Sequence, residues 1–294
     1  MSKPDTLDLD LLRSMPLPHH PDDGSKEDRG RLLVVAGSRD LPGAALLAAI
    51  AGLRAGAGKL QIATAESIAI HLGIAIPEAR VIPQREMANG CIDESEIAPL
   101  LHWARSAQAV MIGCGLQRGA PLDALIDALL ASGIDIPLVL DAAVLSSLSE
   151  RAGALRAWRG GAVVLPHAGE MADLLGRERE EVEADPLAAA RDAAGRLGAA
   201  TVIKGEYSYI VAPDGRAFRY RGGGVGLATS GSGDTLAGIV GGLCARGADP
   251  LTAALWGVYL HGEAGRRLSV QVGRVGFLAR EILDLIPMLM EGRA

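Results

Sequence analysis

The sequence lacks both of the glycine signatures that most often hold a nucleotide. No GxxxxGK[ST] segment occurs, which excludes a P-loop, and no GxGxxG follows a predicted strand, which excludes a dinucleotide held in the Rossmann manner. If this chain binds phosphate, it must use another arrangement of backbone amides and side chains.

Thiols and basic charge are also scarce. Cys91, Cys114 and Cys244 are odd in number, far apart and without CxxC or histidine spacing, which argues against a disulfide framework or a zinc site. A formal net charge of −6 provides no basic field, so nucleic acid and anionic membranes are not expected partners. Because no uncharged apolar run could cross a bilayer, and the first residues lack the order of a signal peptide, we expect a cytoplasmic protein.

The chain has enough apolar residues for a large core. Its 294 residues are 49% hydrophobic and include 38 glycines, a composition typical of a globular protein with few aromatic rings. Short apolar runs predict strands over 31–37, 59–63, 109–113, 138–141, 162–165 and 201–204. The segments between them predict helices over 44–55, 95–106, 122–131, 143–148 and 186–197. This alternation favours right-handed crossovers and a mostly parallel sheet with helices on both faces.

The two ends of the chain depart from this alternation. Residues 1–30 are polar and interrupted by prolines, and we interpret them as a leader laid over a single domain of residues 31–294. Regular structure is predicted to begin at Arg31. Two runs, 207–212 and 217–220, flank a Pro-Asp-Gly turn and predict an antiparallel hairpin at one edge of the sheet. Three further helices are predicted over 232–246, 250–268 and 277–290.

The segment Thr229-Ser-Gly-Ser-Gly-Asp-Thr-Leu-Ala-Gly238 is a glycine loop that opens an apolar helix. The first turn of a helix offers unpaired N–H groups and partial positive charge, so an anion can bind there, and glycines let it approach the backbone. A carboxylate beside a bound phosphate would repel it unless it faced another group, so we interpret Asp234 as a base that deprotonates a hydroxyl. The alternative is that Ser232 or Asp234 only caps the helix.

Most of the remaining polar residues follow predicted strands. In a parallel sheet, ligands bind outside the carboxyl ends of the strands. We therefore expect five junctions to form one cleft with the Gly231 loop: residues 37–44, 113–116, Asp141, 166–170 and 204–206.

These motifs, in this order, resemble those of the ADP/ATP-dependent NAD(P)H-hydrate dehydratases, a branch of the ribokinase-like fold. Gly113-Cys-Gly-Leu116 is similar to the family's GPGLG, Pro166-His-Ala-Gly-Glu170 to its TPHPGE, and Lys204-Gly205 to its LKG. Residues 228–238 are similar to ATGGSGDVLAG, and residues 259–265 to a helix with an HG-AG pattern. The resemblance covers nearly the whole chain and implies a three-layer α/β/α architecture.

The resemblance implies a reaction that repairs a damaged cofactor. The family dehydrates (6S)-NADHX and (6S)-NADPHX to NADH and NADPH by phosphorylating the hydroxyl, with ADP as the donor in most bacterial members and ATP in others. Mg²⁺ is the implied metal, and an epimerase is expected on a separate chain. Exposed helices are compatible with a homo-oligomer.

The resemblance also implies roles for individual residues. Asp234 would be the base, and the amides of Gly231, Ser232 and Gly233 would stabilise the transferred phosphoryl group. The nucleotide would contact a further set of residues: Lys204, Gly205, Glu206, Tyr207, Ser208, Thr229 and Gly233. The hydrated substrate would contact Ala44, Gly115, His167 and Asp234. Glu170 and Asp141 would organise Mg²⁺ through water.

The sequence departs from the family pattern at several positions. Ala143 and Ser146 stand where the family has a carboxylate and an amide, Gly224 replaces an Asn, and Ser230 replaces a Gly. Two other functions stay open: an ATP-dependent kinase of a small alcohol that uses the same Asp234, and a nucleotide-binding relative without turnover.

Structural roles are also open for several of these residues. Lys204 could be a surface lysine at a strand end, and Glu170 or Asp141 could cap a helix. His261 reads as a buried histidine in an apolar helix, and Cys114 as a small packing residue in the glycine loop.

Overall fold

The computed structural model describes residues 3–292 and contains a ten-stranded central sheet. In chain order the strands are β1 Asp5–Thr6, β2 Arg31–Val35, β3 Lys59–Ala65, β4 Ala79–Gln84, β5 Ala109–Ile112, β6 Leu138–Leu140, β7 Ala162–Val164, β8 Ala200–Ile203, β9 Tyr207–Val211 and β10 Ala217–Arg221. Across the sheet their order is β1-β10-β9-β8-β7-β6-β5-β2-β3-β4.

Helices cover both faces of the sheet. They are α1 Leu9–Ser14, α2 Pro42–Arg54, α3 Glu66–Ala75, α4 Ile97–Arg105, α5 Ala120–Leu130, α6 Leu148–Arg156, α7 Ala168–Leu175, α8 Arg179–Ala184, α9 Pro186–Leu197, α10 Ser232–Ala245, α11 Pro250–Gln271 and α12 Ala279–Met290. Buried side chains form one core between the sheet and α1–α3 and α10–α12, and a second core between the sheet and α4–α9. The three-layer α/β/α prediction is therefore confirmed.

The predicted pairing of the strands is also confirmed. The strands from β8 through β7, β6, β5, β2 and β3 to β4 are parallel. Strand β9 is antiparallel to β8 and to β10, so the Pro-Asp-Gly turn does join a hairpin. The short strand β1 pairs in parallel with β10 and lies outside this hairpin.

Several elements were not predicted from the sequence. Strand β4 contains Pro83 and lies at the edge of the sheet, where a proline is tolerated and an apolar run is not required. Residues 143–148 do not form an α-helix as predicted. A 3₁₀ helix, Ala142–Ser147, occupies that stretch and leads directly into α6, and it begins at Ala142, whose φ is +54°. Helices α3, α6, α7 and α8 were also missed.

Regular structure begins before Arg31, contrary to the sequence prediction. The Asp8 side chain caps α1 by accepting a hydrogen bond from a backbone amide, and Leu12 is fully buried. The indole of Trp256 donates to the Met15 carbonyl oxygen over 2.8 Å. The partners of β1, Met15 and Pro18 lie more than two hundred residues away, so local sequence patterns do not reveal the structure of this segment.

Helix α10 packs against the sheet and is in close contact with α2. A Cβ atom built on Gly238 would lie 2.1 Å from the carbonyl oxygen of Ala48, so the two backbones touch. Helix α10 also contacts β5 and β6. Within residues 3–292, no helix is both long and apolar enough to cross a membrane.

Candidate active site

The carboxyl ends of five parallel strands lie side by side at the same end of the sheet. The strand order reverses between β5 and β2, which is the place where such sheets bind ligands. There the Gly37 amide donates to the Cys114 carbonyl oxygen over 2.8 Å, which joins the loops after β2 and β5. Further along the edge, the Lys204 amide donates to the Pro166 carbonyl oxygen over 3.1 Å. The predicted junctions are thus connected by backbone hydrogen bonds.

The glycine loop ends at the first turn of α10, as predicted. Gly231 is the N-cap with φ of +88°, and a Cβ there would lie 2.4 Å from the Leu47 Cδ1 atom, so the turn requires glycine. No side chain caps the helix, so the alternative reading of Ser232 or Asp234 as a cap is wrong. The Ser232 amide donates to the Thr229 carbonyl oxygen over 3.2 Å. Its N–H is therefore already engaged in a turn.

A partly buried ion pair lies directly in front of this helix. The Lys204 Nζ atom is 3.1 Å from Asp141 Oδ1, and the two side chains are 23% and 3% exposed. A Cβ built on Gly233 would lie 3.4 Å from the same Nζ atom. Burial lowers the pKa of Lys204, but the charges of Asp141 and Glu170 raise it more, so the lysine stays protonated. Lys204 is therefore not a free surface lysine, and the Asp141 carboxylate does not cap the next helix.

The thiol of Cys114 lies between two carboxylates. Its Sγ atom donates a hydrogen bond to Asp141 Oδ2 over 3.8 Å, and the thiol also lowers the pKa of the nearby Asp234 carboxyl. Burial and the two neighbouring carboxylates raise the pKa of Cys114 well above its usual range, so it donates a proton rather than attacking as a thiolate. Burial raises the pKa of Asp234, although Cys114 and Lys204 oppose that shift.

His167 and Glu170 form a capping box at the start of α7. The His167 Nδ1 atom accepts hydrogen bonds from the Gly169 and Glu170 amides, and the Glu170 carboxylate accepts one from the His167 amide over 2.9 Å. The ring proton must then be on Nε2, which is 3.5 Å from Glu170 Oε1. The helix-capping role left open for Glu170 is confirmed, and the imidazole itself is 61% exposed.

His261 reaches the glycine loop from α11. Its Nε2 atom is 3.0 Å from the Ser232 Oγ atom, and both residues are buried. Burial lowers the pKa of His261 to about 4, so the ring is neutral near pH 7. The expectation of a buried histidine is confirmed, but this one holds a residue of the loop, which the sequence did not indicate.

A cavity of about 690 Å³, which we call the first cavity, opens beside these groups. Eight of the residues predicted to form the site line it: His167, Lys204, Gly205, Glu206, Ser208, Thr229, Ser232 and Gly233. Tyr220, Leu227 and Val258 add apolar walls that were not predicted, because their positions depend on the pairing of β10 and the packing of α11. Tyr207 does not line this cavity, although it was expected to contact the nucleotide.

The remaining predicted residues lie around the other loops of the same edge. A Cβ built on Gly115 would lie 2.7 Å from the Ala44 Cβ, so these two expected substrate contacts are adjacent. Gly224 lines the first cavity, whereas Ala143 and Ser146 line a separate polar cavity of about 240 Å³. In the described part of the chain, no group of three or more His, Cys, Asp or Glu side chains could hold a metal ion by itself.

The three-layer fold, with its glycine loop and buried lysine at the carboxyl ends of the strands, defines a ribokinase-like protein. It is similar to the structure of a ribokinase-like superfamily protein from Enterococcus faecalis, with a TM-score of 0.83 and 26% identity over 99% of this chain and 96% of the other. It is equally similar to ADP/ATP-dependent NAD(P)H-hydrate dehydratase from Bacillus subtilis co-crystallised with ATP/Mg²⁺. That TM-score is 0.82, with 29% identity over 100% and 99% of the two chains.

The comparisons of sequence define the family more closely. Residues 32–288 match the family described as NAD(P)H-hydrate dehydratase. The ADP-dependent (S)-NAD(P)H-hydrate dehydratase of Xanthomonas campestris pv. campestris is 46% identical over 288 residues, which cover 97% of this chain and 96% of the relative. The chain therefore belongs to the NAD(P)H-hydrate dehydratase family, as the motifs had indicated.

Proposed function

We propose that this chain dehydrates (6S)-NADHX and (6S)-NADPHX to NADH and NADPH, with ADP as the phosphoryl donor. The observation that carries this proposal is the position of Asp234 in the first turn of α10, beside the buried charges of Lys204 and Asp141. Its support is the 46% identity to a dehydratase whose name specifies ADP. Hydroxide is a poor leaving group. Phosphorylation of the substrate hydroxyl lets phosphate leave in its place.

The first half of the reaction is a phosphoryl transfer. The substrate hydroxyl gives its proton to Asp234, and its oxygen bonds to the β-phosphorus of ADP as the bond to the AMP oxygen breaks. The Lys204 ammonium and the amides of Gly231 and Gly233 would stabilise the negative charge on the transferred group, whereas the Ser232 amide already donates to Thr229. The first cavity would hold the nucleotide, with its adenine against the apolar walls of Leu227 and Val258.

The second half is an elimination. The ring nitrogen supplies an electron pair as the carbon–oxygen bond breaks, so phosphate leaves, and loss of a proton from the neighbouring carbon restores the ring double bond. The products are the reduced nicotinamide cofactor, AMP and phosphate. Ala44, Gly115 and His167 would hold the substrate so that its hydroxyl faces Asp234.

Mg²⁺ fits the side chains present, although not as a cage built by the protein alone. The carboxylates of Glu170 and Asp141 both lie close enough to Lys204 to raise its pKa. Mg²⁺ keeps several waters and uses one or two carboxylates together with phosphate oxygens. We propose that Glu170 and Asp141 hold it through water, where it would neutralise phosphate charge.

The wider setting follows from this reaction. The partners of the chain are NAD(P)H hydrate and a nucleotide, and we expect the epimerase to be a separate chain. The cytoplasm is the proposed location, and residues 31–294 are the proposed catalytic domain.

The direct test is recovery of reduced-nicotinamide absorbance when the purified protein meets hydrated NADH with Mg²⁺ and ADP, ATP or no nucleotide. We expect recovery with ADP, together with AMP and phosphate. A stable phosphorylated alcohol in place of NADH would indicate a small-alcohol kinase. Nucleotide binding without any product would indicate a non-catalytic relative.

The Asp234→Asn variant tests the base. We expect kcat to fall by roughly 10² to 10⁴-fold, the usual contribution of a general base, while ADP still binds. The control is Asp284→Asn, which removes an exposed carboxylate of α12 and should leave turnover unchanged. Normal turnover by a folded Asp234→Asn protein would refute the assignment.

A further inference from the structure

A second cavity, of about 680 Å³, adjoins the first. Alternate residues of a strand point to opposite faces of a sheet. Ser208 of β9 lines the first cavity, whereas its neighbours Tyr207 and Tyr209 line the second. The two cavities therefore lie on opposite faces of β9, and they share His167 and residues 204–206 at their common rim.

The wall of the second cavity combines the rings of Tyr207 and Tyr209 with charged side chains of both signs, Lys204 and Glu206 among them. Arg219 and Arg221 lie outside this lining, with guanidinium groups 5.3 and 5.6 Å from the centre of the Tyr207 ring. Among the described residues, neither arginine forms a salt bridge with a carboxylate. Arg179 of α8 also lines the cavity, and its Nε atom is 2.7 Å from Glu183 Oε1. Flat rings beside cations favour a planar base attached to phosphate.

The proposed reaction needs room for two large ligands at the same time. A nucleoside diphosphate and a dinucleotide must both reach Asp234, and a cavity of about 690 Å³ is the size that encloses one such ligand. His167, an expected contact of the dinucleotide, stands where the two cavities meet. The part of the dinucleotide that extends past His167 has the second cavity in front of it.

We propose that the second cavity binds the adenosine half of the dinucleotide substrate. The adenine stacks on the Tyr209 ring, and the phosphates of that half lie at the common rim of the two cavities, where Lys204 is the cation. This inference rests on the proposed function, because it assigns a place to part of the same substrate. It also gives Tyr207 a role with the dinucleotide in place of the one with ADP.

The test compares a whole and a truncated substrate in two variants of one residue. Tyr209→Leu keeps an apolar side chain against the core but removes the ring, and Tyr209→Phe keeps the ring. We expect Tyr209→Leu to raise KM for hydrated NADH by roughly tenfold, as loss of base stacking does elsewhere, with kcat nearly unchanged. The hydrate of reduced nicotinamide mononucleotide, which has no adenosine, should show no such change, and Tyr209→Phe should behave as the wild type.

Controls separate the possible failures. Arg216→Ala, at the far turn of the hairpin, should leave both substrates unaffected, and the KM for ADP should be the same in all variants. Equal effects of Tyr209→Leu on both hydrates, or no effect on either, would overturn the inference. If the wild type converts neither hydrate, the proposed function fails, and fluorescence titration with NADH then tests the cavity alone. In that case, weaker NADH binding by Tyr209→Leu but not by Tyr209→Phe supports the cavity assignment, and equal binding overturns it.

Discussion

A single residue of the candidate site, Cys114, affects the protonation of the carboxyl group beside it. Cys114 was expected only to fill space, yet its thiol lies against the carboxylates of Asp141 and Asp234. The protonated thiol lowers the pKa of Asp234 and so favours the ionised form of that carboxylate, which is the form that the proposed base requires. The residue that replaces the family's proline in this loop therefore bears on the acid–base chemistry.

We predict that Cys114→Ala moves the acid limb of the pH profile of kcat/KM to higher pH. Burial already raises the pKa of Asp234, and removal of the thiol, which lowers it, leaves the carboxylate protonated over a wider range. Because the base works only when ionised, activity is lost as pH falls through the raised pKa. The rate on the alkaline plateau should not change. Cys114→Ser, which keeps a donor, is the matched control, and an unshifted acid limb in Cys114→Ala would contradict the prediction.

His261 is a positioning residue for the glycine loop. We predict that His261→Ala lowers kcat/KM for ADP by roughly tenfold, because Ser232 loses its partner inside a buried site. His261→Gln places a polar atom near the Nε2 position and should restore most of the activity. Steady-state kinetics with ADP varied would measure both, and equal losses in the two variants would point to packing alone.

The residues that sequence could identify are those within short motifs. Lys204, Thr229 and Gly233 were assigned to one nucleotide site, and all three line the first cavity. The contact of His261 with Ser232 could not be predicted, because it depends on how α11 packs across α10. Neither could the face of β9 on which Tyr207 lies, since a strand inside a hairpin carries polar and aromatic residues on both sides.

At the scale of secondary structure, the position of α10 decides where the site forms. Its contact with α2 is made by residues without large side chains, so the two helices approach backbone to backbone. This closeness sets the distance between the first turn of α10 and the strand ends that carry Asp141 and Lys204. The apolar, glycine-rich sequence of α10 predicted a buried helix but not its partner.

We predict that Gly238→Ala destabilises the protein by about 1–3 kcal/mol or more, because the new methyl group would meet the Ala48 carbonyl oxygen. Gly195→Ala is the matched control. Gly195 also lies in a helix, but no atom outside its own helix lies within 4 Å of a Cβ added there. The Gly195→Ala substitution should stabilise the fold by roughly 0.5–1 kcal/mol. Urea denaturation would measure both, and equal shifts would mean that α2 and α10 can separate without cost.

Elements with strong periodicity or long apolar runs were predicted well, and marginal ones were not. The parallel strands β2, β3 and β5 to β8, and helices α9 to α12, lie close to where the sequence predicted them. Strand β4 and helices α3, α6, α7 and α8 were missed, because the exposed edge of a sheet and short helices need little apolar pattern of their own. Their structure comes from contact with neighbours that are already in place.

For the molecule as a whole, the first described residues are part of the fold. Segment 3–30 places Leu12 in the core shared by α10 to α12 and adds β1 to the sheet. The boundary proposed at residue 31 therefore separates two differently patterned parts of the sequence that are packed together.

We predict that Leu12→Ala lowers the free energy of unfolding by about 2–5 kcal/mol, the usual cost of emptying a fully buried leucine site. Asp10→Ala, on the exposed side of the same helix, should change stability little, because its ion pair with Arg13 is exposed to solvent. Thermal unfolding followed by circular dichroism would compare them. A small effect of Leu12→Ala would show that the segment is held only loosely.

The three cysteines remain reduced and buried, and they lie in three different parts of the molecule. Cys91 lies in the loop before α4, Cys114 lies beside the Asp141 carboxylate, and Cys244 lies in α10 near its end. A thiol reagent can reach each one only when its surroundings open, so each labelling rate measures a separate local opening. The labelling rate of Cys114 would therefore measure local opening at the candidate active site, separately from the openings measured at Cys91 and Cys244.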